Sequence, residues 1–216
     1  MTPVDLEAFL RVRLAQSLPG PEAQLRFAPD PRLKGWEPQL DPATARQAAA
    51  LVLIYPGPDG ALIPLTVRHD DLSHHAGQIS LPGGRVDPGE RPEDAALREA
   101  SEEIGLDPRD VRIVGALSSL WVIVSNHVVR PYVGITDRRP DFRLAPGEVA
   151  GLVEAPLSAL RDGKSVTSIE RVRDGIVVRY PYFELAGQQV WGATAMILSE
   201  FVTLFEGVVP RSVENS

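Results

Sequence analysis

The stretch from Asp87 to Glu103 constrains this chain more than any other. It holds seven acidic residues and two arginines, so much of the net charge of −7 on the 216-residue chain lies in this short segment. Pro92 suits the first position of a helix and Gly105 suits the position just after its end. The pattern therefore predicts an acidic helix from about residue 92 to residue 104.

This helix carries three carboxylates on one face. At about 100° per residue, Glu102 and Glu103 lie within about 60° of Glu99. Like charges at this spacing repel, and the helix dipole disfavours anions near the C-terminal end. A hard divalent cation, Mg²⁺ or Mn²⁺, would make such a cluster favourable, whereas the alternative is an ordinary solvated face. A separate apolar face, suited to packing on a sheet, contains Ala96, Leu97, Ala100 and Ile104.

A glycine-rich loop precedes the helix. The run Pro82-Gly83-Gly84-Arg85 permits close approach of the backbone, and its successive N–H groups could form a concavity for an anion. The alternative is a plain strand-to-helix turn. A phosphate-binding loop, an arginine and a metal-binding helix within roughly 20 residues indicate phosphoryl chemistry.

Length and composition exclude several classes of protein. A chain of 216 residues suits one domain with elaborations, and it needs no disulfide to fold. The absence of cysteine excludes thiolate zinc sites and cysteine nucleophiles. The acidic excess argues against nucleic acid as a partner. The longest apolar run, Ala48–Tyr55, is too short for a membrane span, and the N-terminus lacks a basic leader, so we expect a soluble cytoplasmic protein without a membrane partner.

Hydrophobic patterning predicts a mixed fold. Apolar runs around Pro58-Asp59-Gly60 indicate a hairpin, as do those around Asp174-Gly175. Strands combined with a few helices favour the α/β (α+β) class, with an α/β/α sandwich and a mixed β-sheet. The remaining predicted elements are strands at 111–124 and 128–135, a short helix at 156–160 and a closing amphipathic helix at 195–205.

The N-terminal part is expected to belong to the same unit. Residues 1–45 should form a helix followed by a Pro-rich arm, and residues 46–210 should form the main domain. The helix is indicated by the spacing of Leu6, Phe9, Leu10 and Leu14. This part could contribute a homodimer interface or simply cover the sheet.

The residues from Gly84 to Leu106 resemble the Nudix box at every required position. Gly84 is followed after five residues by Glu90, and after seven more by the run Arg98-Glu99-Ala100-Ser101-Glu102-Glu103-Ile104-Gly105-Leu106. The resemblance implies a Nudix-like sandwich and Mg²⁺-dependent hydrolysis of a nucleoside diphosphate linked to another group. The substrate would then be a small nucleotide.

The same resemblance implies a role for each charged residue of the box. Glu99 and Glu103 would be the metal ligands, with Glu102 as a third ligand or a proton acceptor. Arg98 would orient a carboxylate, and Glu90 would support the geometry of loop and helix.

Outside these positions, a further acid and an arginine are expected at the site. Nudix proteins often recruit an acid from a later loop, and Glu148 is the candidate here, although it could be an ordinary loop carboxylate. Glu102 or Glu148 would accept the proton of the attacking water. Arg68 or Arg85 would hold phosphate beside the backbone of Gly83-Gly84.

A second resemblance concerns the substrate. Leu65-Thr66-Val67-Arg68, Gly77 and Leu81-Pro82-Gly83-Gly84 resemble the signature that precedes the box in coenzyme A pyrophosphatases. The run Val190–Ala195 resembles the closing segment of that subfamily, and Trp191 within it is expected to pack in the core. The resemblance implies hydrolysis of coenzyme A to 4′-phosphopantetheine and adenosine 3′,5′-bisphosphate.

The chain departs from that signature at four positions. Ser73 stands where an arginine is usual, so a phosphate-binding charge is either lost or supplied by His69, His74 or His75. Those histidines could equally be surface residues. The other departures are Pro64 for leucine, His69 for a small residue and Leu81 for phenylalanine.

Other functions stay open at this point. The substrate could be ADP-ribose, NADH or a dinucleoside polyphosphate. The chain could also be a non-catalytic nucleotide sensor, or the acidic helix could be a protein-binding face.

Overall fold

An eight-stranded mixed sheet lies at the centre of the fold, as far as the structure describes the chain. The computed structural model describes residues 3–31, 44–69, 78–163, 165–173 and 175–206. The strands of the large sheet are β1 (Arg46–Gly57), β2 (Gly60–Arg68), β3 (Ile79–Ser80), β4 (Gly83–Arg85), β5 (Arg112–Ala116), β6 (Leu120–Val122), β7 (His127–Ile135) and β8 (Val149–Pro156). A three-stranded sheet contains β9 (Val166–Arg173), β10 (Ile176–Leu185) and β11 (Gln188–Trp191). The helices are α1 (Pro3–Leu14), α2 (Gly20–Gln24), α3 (Pro92–Ile104), α4 (Leu157–Arg161) and α5 (Gly192–Thr203).

The central strand β1 is buried on both faces. Its residues 48–55 are all buried, which explains an apolar run without alternation. β1 pairs in parallel with β7 and antiparallel with β2 and β4. The β1–β2 pairing confirms the predicted hairpin, and the mixed sheet with helices on its faces confirms the predicted fold class.

Helix α3 covers one face of β1. Its small residues Ala95, Ala96 and Ala100 pack with Leu51 and Leu53 of the strand. Side chains this small let the helix backbone approach the sheet closely. The bounds and the apolar face of this helix agree with the prediction, since the helix begins at Pro92 and ends before a left-handed Gly105 (φ 70°).

The other face of the sheet packs against α1, α5 and the small sheet. Leu6 and Leu10 of α1 are buried there, which confirms the amphipathic N-terminal helix. Helix α5 is buried at every position from Thr194 to Phe201. The prediction of an amphipathic closing helix is therefore wrong, because both the sheet and the N-terminal segment pack against it.

Two further predictions are corrected by strand pairing. The expected loop at Gly83–Gly84 is part of β4, because these glycines pair with Ala49 and Ala50 of β1. The expected single strand 111–124 is split into β5 and β6, both paired with β7. Residues 112–122 face only residues 127–135 of β7, so the β5–β6 side contains two extra residues, and the register shifts between Ile113 and Gly115.

Some predicted features lie outside the described residues. These are Asp174 of the second hairpin, Gly77 of the coenzyme A signature, the departure at Ser73, His74 and His75, and residues 32–43 of the Pro-rich arm. The pairing of Arg173 with Ile176 nevertheless confirms the β9–β10 hairpin. In the described part of the chain, no helix is long and apolar enough to cross a membrane.

Candidate functional site

The glycines of β4 bring the backbone of the sheet against the acidic helix. A Cβ atom at Gly84 would collide with the carboxylate of Glu99. The Glu99 carboxylate therefore occupies the space that any other side chain at position 84 would need. Gly84 is required here by close approach rather than by its backbone angles.

Glu103 is the most deeply buried of the three clustered carboxylates. It is 8% exposed, and its Oε2 accepts a hydrogen bond from the N–H of Gly83 at 3.3 Å. Burial is the main cause that raises the pKa of Glu103 to about 7. The charges of Glu99 and Glu148 add to that rise, whereas the Gly83 N–H and the charge of Arg68 oppose it. The Gly83 N–H thus binds a carboxylate of the protein, so this N–H does not face an anion pocket as the predicted loop would require.

Glu99 and Glu102 differ from Glu103 in exposure. The side chain of Glu99 is 19% exposed, and that of Glu102 is 58% exposed. Burial raises the pKa of Glu99, while the adjacent Arg98 opposes the rise and the charges of Glu102 and Glu148 add to it. The three carboxylates share one helix face, as predicted, but they range from solvent-exposed to buried.

Arg98 connects the helix to the segment that precedes it. Its Nε and Nη2 donate to Glu90 at 2.9 and 3.2 Å, and its Nη1 donates to Glu99 at 3.0 Å and Glu102 at 3.1 Å. Its Nη2 also donates to the carbonyl of Arg85 at 2.9 Å. The guanidinium thereby makes five hydrogen bonds, as many as its N–H groups allow.

Glu90 closes the turn before α3. Its Oε2 accepts from the N–H of Asp87 at 2.9 Å, and the Arg98 bonds reach the same carboxylate. The Arg98 guanidinium holds the pKa of Glu90 below its usual range, with the Asp87 N–H adding to this effect. Glu90 thus joins the turn to the helix, at the position where the sequence predicts structural support.

Arg68 and Glu148 come to the site from outside the box. Arg68 ends β2, and the next residue, His69, donates its backbone N–H to the carbonyl of Glu148 at 3.1 Å. The charge of Arg68 lowers the pKa of Glu103, while the charge of Glu148 raises the pKa values of Glu99 and Glu103. The Nε of Arg68 is buried and has no hydrogen-bond partner among the described residues. The tertiary structure therefore brings a cation and a fourth carboxylate to the cluster.

Arg85 lies at the edge of this arrangement. Its carbonyl accepts from Arg98, and its positive charge contributes to lowering the pKa of His127, which burial lowers most. Of the two arginines predicted to hold phosphate, Arg68 is the one whose charge acts on the clustered carboxylates.

The donor set fits a hard divalent cation in chemical type. Glu99, Glu103 and Glu148 offer only oxygen, and the charge of Glu148 raises the pKa values of Glu99 and Glu103. Among the described residues, no three His, Asp or Glu side chains already converge as a metal-binding group. The predicted set of Glu99, Glu102 and Glu103 is thus not preassembled, because Arg98 and the Gly83 N–H bind these carboxylates instead.

A cleft opens beside the glycine strand. It has a volume of about 160 Å³, and it is lined by small residues of β1 and β4 and by the start of α5. Leu81, one of the departures from the coenzyme A signature, also lines it.

Comparison with known proteins identifies a family for the part of the chain that contains the carboxylate cluster. A family model described as the NUDIX domain matches residues 45–166. Nudix hydrolase 15, mitochondrial, of Arabidopsis thaliana is 36% identical over 180 residues, which are 79% of this chain and 62% of that protein. The uncharacterized Nudix hydrolase NudL of Yersinia pestis is 38% identical over 157 residues, which are 72% of this chain and 78% of that protein.

A solved structure supports the fold alone. The MutT/nudix family protein from Enterococcus faecalis aligns with a TM-score of 0.50 at 15% identity, covering 95% of this chain and 73% of that one. The match spans less than two thirds of the Arabidopsis relative, although it covers most of the Yersinia relative.

Proposed function

The chain belongs to the Nudix hydrolase family, and from this premise we propose that it is a divalent-metal-dependent pyrophosphohydrolase of a nucleoside diphosphate derivative. One observation carries the proposal. Glu99 and Glu103 are held against the glycine strand β4, and the charge of Glu148 acts on both. Carboxylates clustered in this way are suited to phosphoryl transfer, where charge neutralisation supplies most of the catalysis.

Glu99 and Glu103 would hold Mg²⁺ or Mn²⁺, with Glu102 as a third ligand or as the acceptor of the water proton. Such an ion, when bound, would neutralise charge on the phosphate oxygens and lower the pKa of a bound water. Arg98 keeps Glu99 and Glu102 in position through hydrogen bonds from Nη1. The N–H of Gly83 orients Glu103 in the same way.

The remaining residues act on the substrate and the water. Water attacks one phosphorus, a new O–P bond forms, and the bond to the bridging oxygen breaks. Glu102 or Glu148 accepts the proton of that water. The burial of the unpaired Arg68 Nε supports Arg68 as the group that binds a phosphate oxygen, since Arg forks match phosphate geometry.

Coenzyme A is the substrate that we propose within this class. Support comes from the resemblance of residues 65–68 and 81–84 to the coenzyme A pyrophosphatase signature. Arg68 of that signature lies close enough to lower the pKa of Glu103. The products would be 4′-phosphopantetheine and adenosine 3′,5′-bisphosphate. The cytoplasmic location and the homodimer stay predictions.

A hydrolysis screen tests the proposal. The purified chain is incubated with Mg²⁺ and coenzyme A, ADP-ribose, NADH or a dinucleoside polyphosphate, and the products are identified by mass. Reaction in H₂¹⁸O shows which phosphorus the water attacks. We expect turnover of coenzyme A above the other substrates and none after chelation of the metal. Turnover of ADP-ribose or NADH alone would overturn the assignment of coenzyme A as the substrate. Turnover of none of these compounds would favour a nucleotide sensor.

A further inference from the structure

One face of the small sheet carries arginines and aromatic rings that the carboxylate cluster does not use. The strand register places Tyr182 opposite Trp191, and the ring of Tyr180 lies on the same side of β10. Phe183 and Val190, which alternate with these residues, are buried in the core. The aromatic–arginine face, as we call it, consists of Arg171, Arg173, Tyr180, Tyr182 and Trp191.

The rings of this face are held in place but remain partly accessible. The guanidinium carbon of Arg171 lies 5.7 Å from the centre of the Trp191 ring, and Tyr180 meets that ring edge-on with centres 6.1 Å apart. Trp191, Tyr180 and Tyr182 are half-buried. The sequence predicts that Trp191 packs in the core. That prediction is wrong, because Trp191 is part of an ordered surface.

The charge of this face runs against that of the whole chain. Arg171 and Arg173 are both exposed, and neither forms an ion pair with any carboxylate that the structure describes. Of the nearby acids, Glu170 lies opposite Arg179 in the strand register, and Glu184 lies opposite Gln189 towards the next turn. Two guanidinium groups without an ion pair to a described carboxylate lie beside three rings, in a chain of net charge −7, and this combination suits a ligand that is both aromatic and anionic.

We propose that the aromatic–arginine face binds the nucleoside end of the substrate and recognises a phosphate monoester on its ribose. The base packs on the rings, since stacking contributes about 1–3 kcal/mol per base in other proteins. Arg171 and Arg173 bind the additional phosphate through their forked donors. This inference rests on the proposed function, and it would separate coenzyme A from ADP-ribose and NADH, which lack that phosphate.

The position of the face next to α5 supports this assignment. Trp191 is the last residue of β11 and directly precedes α5. Ala193 and Thr194 of α5 line the same cleft as Gly83 and Gly84. Thr194 Oγ1 donates to the carbonyl of Ile79 at 3.2 Å, which ties this junction to the edge of the large sheet. Trp191 of the face and Ala193 of the cleft are thus two residues apart in the chain.

A binding experiment on the full chain tests the proposal without hydrolysis. Adenosine 3′,5′-bisphosphate and adenosine 5′-monophosphate are titrated by calorimetry into the wild type, the double variant R171M/R173M and the control R109M. Arg109 is 89% exposed and pairs with Asp107 two residues away. We expect the double variant to bind the bisphosphate about 30-fold more weakly, as loss of charge-assisted bonds predicts. The monophosphate affinity should fall much less than the bisphosphate affinity, and R109M should change neither.

Kinetics then separate this inference from the proposed function. In R171M/R173M the KM for coenzyme A should rise while kcat is retained. The KM of R171K/R173K should lie between those of the wild type and R171M/R173M, because lysine keeps the charge but not the forked donors. The bisphosphate should inhibit hydrolysis competitively. Unchanged affinity in the arginine variants, or non-competitive inhibition, would overturn the face as part of the substrate site while leaving hydrolysis intact. Bisphosphate binding that depends on the arginines, in a chain that hydrolyses nothing, would instead overturn the proposed function.

Discussion

At the scale of single residues, glutamates of one sequence motif have different environments. Glu102 is mostly exposed, whereas Glu103, the next residue, is buried and accepts a backbone N–H. Burial penalises the ionised form, and a nearby cation is what offsets that cost. The buried members of the cluster are therefore the ones on which we expect activity to depend most.

The variant E103Q tests that expectation. Gln keeps the shape and an acceptor for the Gly83 N–H but removes the charge. Metal-ion catalysis supplies several kcal/mol, so we expect kcat/KM to fall more than about 100-fold. The melting temperature should be unchanged or higher, because a neutral amide costs less to bury than a carboxylate. Near wild-type turnover in a folded E103Q protein would rule out Glu103 as a ligand.

Gly84 offers a second test at this scale. In G84A the new methyl group collides with the carboxylate of Glu99, which is the movable end of a side chain. The carboxylate must therefore shift while the backbone stays. We expect a folded protein with roughly 100-fold lower kcat, since small misplacements at a reacting centre have effects of this size. Metal affinity measured by calorimetry should fall with it, and full activity would show that the position of Glu99 is unimportant.

At the scale of elements, Arg98 joins helix α3 to the turn and strand before it. Its bonds to Glu90, Glu99 and the Arg85 carbonyl hold three consecutive parts of the chain together. Exposed ion pairs contribute little, but this one is a network with a fixed fork geometry. The orientation of the cluster should depend on that geometry more than on charge alone.

The variant R98K separates charge from geometry. Lysine has three donors at one point and loses at least two of the five bonds. We expect metal affinity to fall about 10- to 100-fold, as for other residues that orient ligands. R91M is the matched control, because Arg91 belongs to the same helix start and pairs only with Asp94 in the described contacts. Equal metal affinity in R98K and R91M would contradict the orienting role.

A second contact between elements predicts a pH dependence. Glu154 of β8 accepts from Arg139 at 2.8 Å and from the buried Tyr55 hydroxyl at 2.7 Å. The hydrogen bond from Arg139 is the main cause that holds the pKa of Glu154 below its ordinary value of 4.5, and the hydrogen bond from Tyr55 adds a smaller effect. The stabilisation from ionised Glu154 is therefore fully present above pH 4.5 and disappears as the pH falls through the lower folded-state value.

Urea unfolding of E154Q and the wild type at several pH values checks this. The difference in the free energy of unfolding should be largest near neutral pH and should narrow below pH 4.5. R139M should behave similarly, and the double variant should add little because both changes remove one interaction. A difference that persists unchanged into acid would show that the carboxylate charge is not responsible.

At the scale of the whole molecule, Glu200 joins both ends of the described chain. It is 0% exposed within α5. Its carboxylate accepts from the Gly20 N–H at 3.1 Å, the Ser118 N–H at 3.2 Å and Gln24 Nε2 at 2.8 Å. We propose on this ground that residues 1–45 fold as part of one unit with residues 46–210.

The variant E200Q tests this connection. All three neighbours of Glu200 are donors, so the amide NH₂ of glutamine must face one of them. We expect a loss of about 2 kcal/mol in the free energy of unfolding, measured with urea. E22Q, on the exposed side of α2, is the control and should change stability by less than about 0.5 kcal/mol. Two separate unfolding transitions in the wild type would contradict a single unit.

The local features of the protein can be predicted from its sequence. The bounds of α3, its apolar face, the β1–β2 hairpin and the resemblance of the box to a Nudix motif follow from spacing and turn chemistry, which act over a few residues. The sequence indicates close approach of the backbone at Gly83 and Gly84, but it does not predict their pairing with β1, because pairing depends on a partner more than 30 residues away.

Which charged residues lie close together, and which of them are buried, depends on tertiary packing. Arg68 and Glu148 come to the acidic helix through the pairing of β2 with β8. The burial of Glu103 and Glu200, and the partial exposure of the Trp191 ring, depend on which other elements cover each face. The physical reason is that hydrogen bonding within a helix or turn is local, whereas desolvation and charge–charge interaction depend on every element packed around a group.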